Sequence, residues 1–121
     1  MTSEYLKPVL EYIGMDLAHK NFLNDIKLYE QSDSKAKRIY ITKAEAVIEV
    51  LKHDQEQLRR KYRLYVKLSS KGDDYRIYSW RAQGDQGSLR LNGQQLFKLT
   101  AKISHLYWVE KDIKFELKPF Y

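Results

Sequence analysis

Residues 62–82, YRLYVKLSSKGDDYRIYSWRA, alternate aliphatic side chains with basic and aromatic ones on both sides of a Gly-Asp turn. A period of two marks a half-buried strand, and two such runs flanking a turn make a β-hairpin. A chain with this segment needs a sheet with one covered face. With Lys71-Gly72 at the turn centre, Leu68 faces Tyr75, Val66 faces Ile77 and Leu64 faces Ser79 on one side. Lys67 then faces Arg76, Tyr65 faces Tyr78 and Arg63 faces Trp80 on the other. A one-residue slip mixes Leu64, Val66 and Leu68 with Arg76 and Tyr78, so the apolar pattern selects the first register.

The cover comes from helices. Leu6, Val9, Leu10, Ile13 and Leu17 recur at helical spacing from near Pro8, and Asn21 is placed to cap a second stretch carrying Phe22, Leu23, Ile26 and Tyr29. QSDSK (31–35) reads as a loop. Thr42-Lys-Ala-Glu45 has the form of a capping box, and Ala44, Val47, Ile48, Leu51 and Leu58 follow as one apolar stripe ending in Arg59, Arg60 and Lys61. QGDQGS (83–88) reads as a loop with two glycines, and LRL beyond it as at most a short third strand. Asn92 with Gln95 starts a helix over about 93–105, carrying Leu96, Leu99 and Ile103. Ile113, Phe115 and Leu117 alternate with Lys114, Glu116 and Lys118 as a terminal strand ended by Pro119, with LYWV (106–109) as its hairpin partner.

The expected class is therefore α+β: an antiparallel sheet, made of a central hairpin plus a C-terminal strand or hairpin, packed on one face by helices, with a helical N-terminal third. Length fits one domain over residues 1–121, a helical segment 1–34 followed by a basic helix-hairpin-helix-strand body 35–121. The order helix, three strands, helix resembles that of double-stranded-RNA-binding domains in topology alone. The lysine-rich start of the last helix found there is reduced here to Lys98 and Lys102 in GQQLFKLTAK.

Cysteine is absent, which excludes disulfide frameworks, thiolate metal sites and cysteine nucleophiles and fits a cytoplasmic, intracellular setting. No signal peptide or membrane-spanning run is visible. Residues 1–34 carry a net charge of −3, which leaves +9 on residues 35–121 of the whole-chain +6. A basic body favours an anionic partner.

His19, His53 and His105 have no zinc or hydrolase spacing, and no glycine-rich loop matches a phosphate-binding fingerprint, so neither a metal nor a cofactor is expected. One nuclease-like fragment exists: Glu116-Leu117-Lys118, a carboxylate and a lysine on one side of the expected strand, without a well-placed second carboxylate. The chain is read as a non-enzymatic binding module. In the chosen register the hairpin collects Arg63, Lys67 and Arg76 with Tyr65, Tyr78 and Trp80, flanked by Arg59, Arg60 and Lys61. Cations attract phosphate and flat rings stack on unpaired bases, so nucleic acid, single-stranded or structured, is the leading partner. The alternative is an inhibitor or adaptor of the phage or mobile-element type, docking its basic, Tyr-rich surface on an acidic protein. A homodimer is compatible with either.

Overall fold

A computed structural model describes residues 3–117. It contains α1 (Leu6–Glu30), α2 (Lys37–Tyr62), β1 (Tyr65–Lys71), β2 (Tyr75–Ala82), β3 (Asp85–Asn92), α3 (Gly93–His105) and a π-helical turn (Leu106–Glu110). The strands form one antiparallel sheet in the order β1-β2-β3, with helices on one side. The α+β class and the helical N-terminal part are as the pattern predicts.

The long first helix runs unbroken through Asn21, where a second start is expected. Burial outweighs the cap preference. Met15, Ala18, Phe22 and Ile26 carry one stripe past that point and pack with Ala44, Val47, Ile48 and Leu51 of α2. Thr42 is likewise no cap. The second helix begins earlier, at Lys37, and the Thr42 hydroxyl donates to the Arg38 carbonyl at 2.8 Å. The Ser34 hydroxyl accepts from the Ala36 N–H at 3.2 Å and anchors the turn entering α2. The far end of this helical pair is closed by rings: Tyr29 stacks on Tyr40 at 3.7 Å between centroids, and Tyr40 and Phe22 flank Trp108 at 4.9 and 5.7 Å.

Two further expectations are overturned. The 83–88 segment is not a loop: the turn is Gln83-Gly84, with Gly84 at φ 75°, and the third strand begins at Asp85. The sheet's third strand is thus β3. Residues 112–117 form no strand, and 106–109 coil into the π turn, whose Lys111 N–H donates to the Leu106 carbonyl at 2.9 Å. Ile113 packs on the helical cluster, which takes the segment away from the sheet edge. The α3 expectation holds, including its box: Asn92 Oδ1 accepts from the Gln95 N–H and Gln95 Oε1 from the Asn92 N–H, both at 2.8 Å.

The first helix serves two cores. Its early turns, through Val9 and Ile13, pack with Leu64, Tyr78, Trp80 and Leu91 beneath the sheet. Its later turns pack with α2, Ile103 and Tyr107. Between them lies buried Gly14, where α3 crosses closely. A Cβ there would sit 2.7 Å from Ile103 Cγ1 and 3.0 Å from Leu99 Cγ. Gly14→Ala gains about 1 kcal/mol of helix propensity but overpacks the crossing by about 1–3 kcal/mol, so we predict a net loss of stability in urea melts.

Tyr40 gives a pH prediction. Burial first, and then Asp25, whose carboxylate accepts from the phenol at 3.2 Å, push its pKa from 10 up to about 12. The raised value means that neutral Tyr40 favours the folded state fully below pH 10 and loses that contribution as pH rises towards 12. Urea melts across this interval should therefore fall more steeply for the native chain than for Tyr40→Phe.

Candidate nucleic-acid interface

The sheet's two faces are sorted by a register that differs from the expected one. Observed pairs are Tyr65 with Arg81, Val66 with Trp80, Lys67 with Ser79 and Leu68 with Tyr78. Past a bulge between Leu68 and Ser70, Ser70 pairs with Ile77 and Lys71 with Arg76. The tight turn is Asp73-Asp74, closed by the Gly72 N–H to the Tyr75 carbonyl at 3.0 Å. Moving the turn displaces the strands evenly, which keeps faces together. The bulge inserts one unpaired residue, Ser69, and makes the displacement odd, so the face partners exchange.

The reason lies in the third strand. Leu89 pairs with Tyr78 and Leu91 with Arg76, so β3 brings its apolar side to the side bearing Tyr78 and Trp80. With Val66 and Leu68 these make a larger apolar face than Tyr75, Ile77 and Ser79 offer. Burying two aromatic rings outweighs burying Ile77. Trp80 and Tyr78 are accordingly only 4% and 8% exposed. Trp80 also lies against Gly87, where a Cβ would come within 2.8 Å of its ring. Its indole N–H is buried with no hydrogen-bond partner among the described residues.

The structure therefore splits the residue set expected to bind. Tyr65, 58% exposed, and Lys67 stay on the outer face. Tyr78 and Trp80 are core, and their stacking role is withdrawn. Arg76 is half-buried on the helix-covered side, beside Leu96 and Phe97. Arg59 and Arg60 both pair with Glu56, at 2.7 and 3.0 Å, and hold its carboxyl down to about 2. Lys61 lies 5.2 Å over the Tyr62 ring. Arg63 is the left-handed residue that ends α2, at φ 52° and ψ 48°. Its N–H donates to the Arg60 carbonyl at 3.4 Å, and the Leu64 N–H reaches back to Arg59 at 2.9 Å. That is a Schellman motif with arginine where glycine is usual. Glu116 lies outside any strand, and Lys118 lies outside the described residues, so the alternation behind the nuclease-like fragment is not formed over 112–117.

Strand alternation instead assembles a different outer face. Tyr65, Lys67 and Ser70 from β1, Tyr75, Ile77, Ser79 and Arg81 from β2, and Gln86, Ser88 and Arg90 from β3 point away from the helices. None of these is acidic. No described element packs on this side, and Tyr65, Lys67, Arg81, Ser88 and Arg90 are all exposed. Arg81 lies 5.5 Å over the Tyr65 ring and Arg90 4.2 Å over the Tyr75 ring. Ser69, thrown outward by the bulge, hydrogen-bonds Ser79. A shallow depression of about 570 Å³ runs between Tyr65, Lys67, Arg81, Gln86 and Ser88. Sequence reasoning missed Tyr75, Arg81 and Arg90. The available signal was Leu89-Arg90-Leu91, an alternation that implies a full third strand with Arg90 opposite the core.

Among the described residues, no group of three or more His, Asp or Glu is placed to hold a metal ion, and no helix is long and apolar enough to cross a membrane. Arg63→Gly, which relieves the left-handed backbone, should leave stability unchanged or raise it by up to about 1 kcal/mol. A clear loss in thermal or urea melts would contradict the chain-terminating role given to Arg63. In comparison with known proteins, residues 1–112 match the family model described as YhjD protein. No curated protein and no solved structure matches the chain.

Proposed function

The chain belongs to the YhjD protein family, and we propose that it is a non-enzymatic module that binds single-stranded nucleic acid on the outer face of its sheet. The observation that carries this reading is the composition of that face: Lys67, Arg81 and Arg90 interleaved with Tyr65 and Tyr75, with no carboxylate at any outward strand position. Phosphates need the cations, and unstacked bases need the rings. The rings are already paired with guanidinium groups, which pre-orients both for a base laid over Tyr65 or Tyr75. An open three-stranded surface suits splayed bases better than a duplex groove, because it presents no helix or loop to enter one.

Fluorescence anisotropy with oligothymidine and oligouridine of about a dozen nucleotides tests this. Three phosphate contacts give a salt slope of about −2, hence roughly 20-fold weaker binding between about 50 and 200 mM salt. Tyr65→Ala should cost about 1–3 kcal/mol, and Arg81→Glu or Arg90→Glu should each weaken binding and flatten the slope by about 0.7. Arg60→Glu, away from the face, should change little. Absence of binding to any oligonucleotide, or salt-insensitive association with an acidic protein through the same face, would overturn the proposal in favour of an adaptor.

A further inference from the structure

On the opposite side of the molecule, α1, α3 and the π turn enclose a cleft of about 480 Å³. Its floor is Met15, Ile103 and Tyr107, all buried, and its walls are Leu10, Leu99 and Leu106. The Tyr107 hydroxyl is committed elsewhere, donating to Asp54 Oδ2 at 2.6 Å, so the cleft meets that residue as a ring rather than as a polar group. The interior is therefore apolar, and its volume falls in the range of small-molecule sites, about 300–1,000 Å³.

The rim differs sharply. Lys7 from α1, Lys102 from α3 and Lys111 beyond the π turn converge on the cleft, against Glu11 as the one carboxylate of its lining. Lys111 lies 5.0 Å over the Tyr107 ring and 3.7 Å from Asp54. Among the described residues, neither Lys7 nor Lys102 has an ion-pair partner. Three separate elements thus bring ammonium groups to the mouth of an apolar slot. Two of these groups are left to be neutralised from outside.

We propose that this cleft binds a small amphiphilic carboxylate, its aliphatic chain lying over Met15 and Ile103 and its anionic head held between Lys7 and Lys102. Charge complementarity selects the head, because a neutral or cationic amphiphile of the same chain length gains the apolar burial but not the ammonium contacts. The site shares no residue with the outer sheet face, so it stands or falls independently of nucleic-acid binding.

Met15 is one of two methionines in the chain and reports on the floor directly. The full chain carrying ¹³C-methyl methionine should be titrated with sodium dodecanoate, dodecanol and dodecyltrimethylammonium, each below its aggregation concentration. The expected result is a saturable shift of the Met15 methyl with dodecanoate, with dodecanol weaker by about tenfold and the cationic amphiphile weaker still. The exposed pair Lys7→Glu/Lys102→Glu should weaken dodecanoate binding by about tenfold or more at unchanged melting temperature. Equal binding of the three amphiphiles, an unsaturable or absent shift, or unchanged affinity in the double variant would overturn the proposal. A Met15 shift produced by an acidic amphipathic helical peptide but not by dodecanoate would overturn it too, assigning the cleft to a protein partner.

Discussion

Burial of Tyr78 and Trp80 against Val9 and Ile13 is the interaction on which the rest of the structure depends. Two aromatic rings carry the largest apolar area the sheet can offer, and removing them from water favours one face over the other by several kcal/mol at roughly 25 cal/mol per Å². Once they are inside, strand alternation leaves no freedom. Arg81, Ser79 and Tyr75 must point outward from β2, and their neighbours across the ladder must join them. The cationic, acid-free outer surface is a by-product of where the rings go.

The N-terminal helix is what makes that burial compatible with a second core. Its early turns roof the sheet and its later turns pair with the second helix. Gly14, at the division, has no side chain where α3 crosses. Close approach at that one position brings Leu99 and Ile103 down onto α1 and so shapes both the closed core and the cleft that opens beside it. The two surfaces for which we propose roles are thus set by the same helix. One is the sheet face it does not cover, and the other is the gap it leaves against α3.

Much of this was legible in the residue pattern, and the exceptions have specific causes. The α3 box at Asn92 and Gln95 was readable because cap, spacing and periodicity agree. The Thr42 box was misleading. A capping sequence is a local signal, and Ser34 with Ala36 supplies an earlier start whose helix then runs through Thr42. The hairpin itself was readable, but its register was not. Apolar alternation within two strands cannot detect a bulge, and Ser69 sits at one on an edge strand where the ladder tolerates it. Only the third strand, pairing Leu89 with Tyr78, decides which side of β2 is core. Because the candidate site was defined by face, that single inserted residue removed Tyr78 and Trp80 from it and put Tyr75, Arg81 and Arg90 in their place. The terminal alternation of Ile113, Phe115 and Leu117 was a true period without a partner strand, and Ile113 turned to the helical core instead.

We propose that the sheet face opposite the buried rings is the working surface. Backbone amide shift mapping during titration with oligothymidine examines this residue by residue. We expect shifts concentrated on Tyr65, Lys67, Tyr75, Ser79, Arg81, Ser88 and Arg90, with α2 and its Arg59–Arg63 terminus silent. Shifts centred on that basic helix terminus, or spread over α3 while the strands stay unmoved, would contradict it.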